Sequence, residues 1–182
     1  MFHDWSEFYL FAGSAAAVLI GLIFVVISLM QNRSRSTVLA GSKLYMGPIV
    51  LSVSFVLVLS GAALVPGIGA WQFAAVAGIV ALWGLTRSIM SAIGIWRLGS
   101  GVEVHWTDAW FYGVIPGLLY VALGAIAFAL ADKQGWAVQG LAVVVVAILL
   151  AAIRNEWDLI TWIAPRQDTP EPNLDPDRSA GD

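Results

Sequence analysis

The chain has 182 residues, of which 59% are apolar and 12% are charged, and its mean hydropathy is +0.83. The charged share is about half that of a typical soluble domain, and so few polar groups cannot cover the surface of a water-soluble globule. The composition therefore predicts a polytopic membrane protein and excludes a soluble enzyme or a nucleic-acid-binding protein. The chain contains no cysteine, which excludes disulfides, thiolate chemistry and cysteine-ligated metals.

Five apolar segments are long enough to cross the hydrocarbon core of a bilayer, which takes about 20 residues of helix. They lack the alternating pattern of outer-membrane strands, so we expect an all-α bundle of five transmembrane helices. The predicted spans are Phe8–Met30, Pro48–Val65, Trp71–Trp96, Trp110–Ala131 and Trp136–Ile153. Between the second and third spans, the run Pro66-Gly67-Ile68-Gly69 predicts a tight turn and hence a helical hairpin.

The basic residues outside the spans predict the orientation of the chain. If five spans cross, seven of these residues fall on one side and only Lys133 falls on the other. The positive-inside rule then places the N-terminus outside and the C-terminus in the cytoplasm. The first span has no basic residue before it and is longer than the apolar core of a signal peptide, so we expect it to be a permanent helix. The seven residues are Arg33, Arg35, Lys43, Arg97, Arg154, Arg166 and Arg178.

Residues 165–182 have a different composition from the rest of the chain. They contain four prolines, five acidic residues and two arginines, and thus carry the whole net charge of −3. This composition is typical of a disordered segment. We therefore expect a transmembrane domain over residues 1–164, followed by an acidic, proline-rich cytoplasmic tail.

Small residues at four-residue spacing mark two of the predicted spans. Gly13, Ala17 and Gly21 follow one face of the first span, and Gly113 and Gly117 form a G-x-x-x-G in the fourth. Such residues let two helix backbones approach closely in lipid. The favoured interpretation is packing inside one bundle. The alternative is that the face of the first span contacts a second copy or a partner protein.

Spans two and three resemble spans four and five in the placement of three landmarks. Each hairpin has an early proline, a tryptophan opening its second helix and an arginine 16 to 18 residues after that tryptophan. A parallel internal duplication would explain the pattern, and generic rules for residues at membrane boundaries would explain it equally. The paired landmarks are Pro48 and Pro116, Trp71 and Trp136, and Arg87 and Arg154.

Arg87 is the ionisable residue that lies clearly inside a predicted span. It follows Trp71 by sixteen residues, about 24 Å along a helix, so we place it in the cytoplasmic quarter of the bilayer. A charge within the membrane is a functional hypothesis by default, and its candidate partners are Glu156 and Asp158. The alternative is that the arginine extends to the headgroup layer without a specific role.

Few other residues suggest chemistry. The loop Glu103–Asp108 holds His105 between two carboxylates, but it has no second histidine and is better explained as an ordinary interfacial loop. No hydrolase, phosphate-binding or haem-binding motif is present. We therefore expect no enzymatic activity, no metal and no cofactor.

The first span also carries a resemblance to a known group. It reads Gly13-Ser14-Ala15-Ala16-Ala17-Val18-Leu19-Ile20-Gly21-Leu22-Ile23-Phe24-Val25, after Asp4-Trp5. This resembles the opening helix of small bacterial multi-span inner-membrane proteins, some of which are labelled modulators of the membrane-anchored ATP-dependent protease. The resemblance covers about 25 residues; it implies a bacterial inner membrane and points to partner binding, with no catalytic residues to transfer.

The function expected from the sequence is structural or regulatory, through helix contacts with the chain itself or with a membrane partner. The alternative is a small homo-oligomeric channel or transporter, with Arg87 and the serines of span two near its path. We also expect the chain to contact the lipid bilayer, and we expect it not to bind nucleic acid.

Overall fold

The computed structural model describes residues 2–29, 47–98 and 110–163. Within them the regular elements are helices and no strand occurs, which confirms the all-α prediction. A short 3₁₀ turn, His3–Trp5, precedes α1, and a π-helical turn, Trp110–Val114, precedes α4. The helices are α1 (Ser6–Leu29), α2 (Gly47–Ala63), α3 (Ala70–Leu98), α4 (Ile115–Ala131) and α5 (Ala137–Ile163).

Three of these helices are long and apolar enough to cross a membrane. The segments that meet this criterion of length and hydropathy are His3–Val25, Ala70–Gly94 and Ala137–Asp158. Helices α2 and α4 are equally apolar but have 17 residues each, about 26 Å of helix.

The fifth helix differs most from its predicted bounds. The sequence suggested a span ending at Ile153, whereas α5 continues to Ile163. Hydropathy falls at Arg154, but the polar residues that follow remain compatible with helix. The end of an apolar run therefore marked the change in polarity and not the end of the helix.

The chain alternates in direction through the bundle. Helices α2, α3, α4 and α5 contact one another in a ring, in which α3 and α4 share the most extensive interface. Helix α1 lies outside this ring, against α2 and to a lesser extent α5. At one end of the bundle lie the start of the chain and the turns after α2 and α4. At the other end lie the starts of α2 and α4, together with the C-terminal parts of α3 and α5.

The helix interfaces are built largely from small residues. Ala12 and Ala16 of α1 and Ala74 and Ala77 of α3 are buried. Close backbone approach and van der Waals packing hold helices together in lipid, and buried alanines of this kind allow it.

The N-terminus is fixed by an aromatic cluster. Phe2 is 5% exposed and packs against Phe73 at the start of α3, with ring centroids 4.5 Å apart. It also meets the edge of Tyr9, which is fully buried. The N-terminal end of α1 is thereby tied to the α2–α3 hairpin.

The proline of α4 lies next to the irregular turn. Pro116 lacks an amide hydrogen and its ring crowds the carbonyl four residues earlier. The wider π-helical turn of Trp110–Val114 immediately precedes it, and such turns relieve a disrupted hydrogen-bond ladder.

Candidate functional site

A small cavity lies at the end of the bundle where α2 and α4 begin. Its walls are mainly apolar and carry five polar side chains, after which we call it the polar cavity. Its volume is about 20 Å³, enough for one water molecule. Four helices supply its walls, so that the cavity lies inside the ring formed by α2 to α5. The polar cavity is lined by Pro48, Ile49, Leu51, Ser52, Gly84, Arg87, Ser88, Pro116, Leu119, Tyr120, Ile148, Ala151, Ala152 and Asn155.

A hydrogen bond between Ser52 and Tyr120 crosses the ring. The two hydroxyl oxygens are 2.9 Å apart, and the Ser52 hydroxyl is also 2.9 Å from the carbonyl of Pro48. Since the Ser52 proton can serve one acceptor at a time, a bond to the Pro48 carbonyl leaves Tyr120 as the donor to Ser52. The pair links α2 to α4 across the diagonal of the ring.

Gly84 makes room for the Tyr120 ring. A Cβ atom at position 84 would lie 2.4 Å from the nearest ring carbon of Tyr120. A side chain at position 84 would overlap the Tyr120 ring, so glycine is needed here for the tyrosine hydroxyl to reach Ser52.

Arg87 lies where α3 meets the beginning of α2. The side chain is half-buried and lines the polar cavity. A Cβ atom added at Gly47 would lie 3.6 Å from the Nη2 atom of Arg87. The guanidinium is therefore next to the first residue of α2. In the described part of the chain, the guanidinium has neither a hydrogen bond nor an ion pair.

The acidic residues predicted to pair with Arg87 are both on α5. Glu156 is 5% exposed, and neither of its carboxylate oxygens has a hydrogen-bond partner among the described residues. Asp158 is exposed and has an interaction of its own. The residue of α5 that shares the polar cavity with Arg87 is Asn155, whose side-chain oxygen accepts a hydrogen bond of 3.3 Å from Arg154.

Ten of the fourteen residues lining the polar cavity form pairs with one constant spacing. Ser52 and Tyr120 are 68 residues apart, and the same spacing relates the other matched pairs of the lining. It fits the two prolines named as landmarks, but places Asn155 opposite Arg87 where the sequence suggested Arg154. The pairs are Pro48 and Pro116, Leu51 and Leu119, Gly84 and Ala152, and Arg87 and Asn155.

The small residues of α1 divide between two environments. Gly13 lies against α2, where an added Cβ would be 3.1 Å from that of Ser60. Ala17 is exposed, and a Cβ at Gly21 would meet nothing within 4 Å. The predicted face therefore begins inside the bundle and continues on its surface.

The glycines of the predicted G-x-x-x-G pack within the bundle. A Cβ at Gly113 would lie 2.8 Å from that of Ala92, and one at Gly117 would lie 3.8 Å from that of Ser88. Both therefore lie at the interface of α3 with the chain around the start of α4.

The described residues contain no group of three metal-binding side chains. The loop around His105, the basic residues before α2 and the acidic tail lie outside the described residues. The polar side chains around the water-sized cavity are those of Arg87, Ser52, Ser88, Tyr120 and Asn155.

The sequence analysis identifies Arg87 as a candidate site residue. It does not predict that Tyr120, Ser88 and Asn155 share a cavity with it. One feature of the sequence could have predicted the pairing of Ser52 with Tyr120. Ser52 and Tyr120 each follow a proline by four residues, and this spacing puts each hydroxyl one turn into its helix on the face of that proline.

Comparison with known proteins produced no relative for this chain. No protein-family model matches it, and no curated protein and no solved structure matches it significantly.

Proposed function

We propose that the chain is a five-span protein of the bacterial inner membrane, with its N-terminus outside and its C-terminus in the cytoplasm. Three helices meet the length and apolarity needed to span a bilayer, and the two shorter apolar helices run beside them in alternating directions. The charge asymmetry of the loops supports the orientation. The resemblance of the first helix supports the bacterial inner membrane.

We propose further that this protein has no enzymatic activity and acts through helix contacts made by α1. The outer position of α1 is the observation that carries this proposal. Of the most apolar 18-residue stretch of α1, 22% is buried inside the bundle, whereas the corresponding shares are 39% for α3 and 50% for α5. Its exposed surface includes Ser14, Ala17 and Gly21, which lie three and four residues apart and so share a face. A second helix could approach this face closely, and we infer that a second copy or a membrane partner does so.

The absence of cysteine makes the proposal testable by crosslinking in native membranes. Single cysteines at Ala17 and Gly21 test the small-residue face, and the open space at Gly21 means that a side chain there leaves the monomer undisturbed. A cysteine at Leu22 is the matched control, because it is exposed on the same helix but lies about 100° further round. We expect Ala17→Cys and Gly21→Cys to form disulfide-linked dimers under mild oxidation and Leu22→Cys to form few.

A photoreactive maleimide on the Gly21→Cys variant separates the candidate partners. A product of twice the monomer mass indicates a second copy, and a product of any other protein mass indicates a membrane partner. Attachment to lipid alone, together with equal disulfide yields at positions 21 and 22, would show that the face is lipid-exposed and would contradict the proposal.

The alternative function is a small homo-oligomeric channel or transporter. The observation in its favour is the polar cavity inside the helix ring. Against it, the span-two serines do not share one path, because Ser52 lines this cavity while Ser60 lies buried against α1. Ion flux through liposomes containing the purified protein, above that of empty liposomes, would favour the channel over the contact protein.

A further inference from the structure

We propose that Arg87, the first turn of α2 and Ser88 form a binding site for a phosphate group. The ligand class is a phosphate ester or phosphate ion, and its source is either the headgroup of an anionic phospholipid or phosphate from solution. The site is separate from the α1 face to which the main function is assigned, so either proposal can fail alone.

The first element of the site is an uncompensated positive charge. Arg87 is half-buried and has no ion pair in the described part of the chain. Among the described residues, no acidic side chain lines the polar cavity, to which Arg87 also contributes. A charge held in a medium of low polarity is costly unless a counter-charge accompanies it, so this environment favours an anion beside the guanidinium.

The second element is the beginning of α2. Gly47 opens this helix, and the Arg87 guanidinium lies next to it. The first amides of a helix have no acceptor within it, and the helix dipole adds partial positive charge at the same place. Because Pro48 has no amide hydrogen, the free amides of this turn belong to Gly47, Ile49 and Val50. A guanidinium and a helix N-terminus converging on one point form a typical phosphate-binding arrangement.

The third element is Ser88, a largely buried residue whose hydroxyl has no hydrogen bond among the described residues. Ser88 is 6% exposed, lines the polar cavity and makes no side-chain hydrogen bond among the described residues. A hydroxyl on a largely buried residue is normally hydrogen-bonded, so the Ser88 hydroxyl is a free donor on the wall of the cavity that Arg87 also lines. This observation is independent of the charge and of the helix end.

The size of the polar cavity defines how the ligand binds. Its volume of about 20 Å³ admits one water molecule or a single phosphate oxygen. The phosphorus and its remaining oxygens must therefore lie outside the mouth, beside the Arg87 guanidinium and the start of α2, which are already in contact with each other. A site of this kind binds a terminal headgroup or a free ion and leaves no room for a larger solute inside the bundle.

The experiment measures the thermal unfolding midpoint of the full chain in an uncharged detergent. Phosphatidylglycerol is titrated against a diacylglycerol with the same acyl chains, and in a separate arm inorganic phosphate is titrated against chloride at equal ionic strength. We expect the midpoint of the wild type to rise with phosphatidylglycerol, with phosphate or with both, and the arm that responds identifies the source. No rise in either arm would overturn the proposal.

Point variants test whether the rise in the unfolding midpoint comes from anion binding at Arg87 and Ser88. Arg87→Gln should weaken the apparent affinity by about 10- to 100-fold because a charge-assisted contact is lost, and Ser88→Ala should weaken it by several-fold. Lys133→Gln, which removes the same charge at the other end of the bundle, and Thr86→Ala, which removes an exposed hydroxyl of α3, should bind like the wild type.

Arg87→Lys is the second variant to measure if Arg87→Gln does not fold. Arg87→Lys keeps the charge but loses the planar, two-pronged geometry of the guanidinium, so it should bind with intermediate affinity. Unchanged affinity in both Arg87→Lys and Ser88→Ala, or an equal loss in Lys133→Gln, would show that the anion binds elsewhere.

Discussion

Three residues, one on each of three helices, hold the polar end of the bundle together. Gly84 supplies the space, Tyr120 fills it, and Ser52 receives the tyrosine hydroxyl. Since lipid provides no hydrophobic drive between helices, fits of this kind and single hydrogen bonds carry a large share of the packing energy.

Adding one methyl group at Gly84 tests the steric part of this arrangement. We expect Gly84→Ala to lower the free energy of unfolding by about 1–3 kcal/mol, because the Tyr120 ring must move and overpacking has costs of this size. Gly78→Ala is the control in the same helix, where an added Cβ meets nothing within 4 Å. Denaturant titration followed by tryptophan fluorescence measures both variants, and an equal effect of the two would contradict the assignment to Tyr120.

A double-mutant cycle tests the hydrogen bond. We expect Ser52→Ala and Tyr120→Phe to show a coupling energy of about 0.6 kcal/mol, and not above about 1.7 kcal/mol, the range found for hydrogen bonds between helices in membranes. Strict additivity of the two substitutions would mean that the bond makes no net contribution to stability.

At the scale of the elements, the helices could be predicted well and their contacts poorly. The apolar runs located all five helices, since each requires a stretch of apolar residues of the length observed. The end of α5 was misplaced because hydropathy reports polarity and helix formation continues through Arg154 and Glu156.

Which faces meet could not be predicted, because in a membrane helix nearly every side chain is apolar and the pattern carries little directional information. Arg87 could be identified from its charge, whereas Ser88 and Asn155 became part of the same cavity only because α3 and α5 both pack against α4. The duplication of the two hairpins stays a prediction, now resting on the spacing of 68 residues around the polar cavity.

The N-terminal aromatic cluster provides a test at this scale. Phe2→Ala should release the 3₁₀ turn before α1, because Phe2 packs on Phe73 and its carbonyl accepts the hydrogen bond of the Trp5 amide at 3.0 Å. We expect amide exchange at Trp5 to accelerate at least about 10-fold, which corresponds to a loss of about 1.4 kcal/mol. Trp71→Ala removes a neighbouring aromatic side chain that is 73% exposed and should leave this exchange rate unchanged.

At the scale of the whole molecule, the account depends on all five helices crossing the bilayer. The net charge of −3 gives no guide to this arrangement, since it belongs to the residues after 164, while the remainder of the chain is neutral. The alternating helix directions and the common polar cavity at one end are what five crossings would produce. If only the three long helices crossed, the turn after α2 would lie in the cytoplasm and the segment between α3 and α4 would lie outside.

The most direct test is the labelling of single cysteines in the naturally cysteine-free chain with a membrane-impermeant maleimide. Spheroplasts are labelled before and after permeabilisation for variants Val65→Cys, Gly135→Cys, Ser100→Cys and Ser179→Cys. Our account predicts labelling of positions 65 and 135 from outside, and of positions 100 and 179 only after permeabilisation. Labelling of position 100 from outside, with position 65 protected, would contradict the five-span arrangement and indicate that α2 and α4 do not cross.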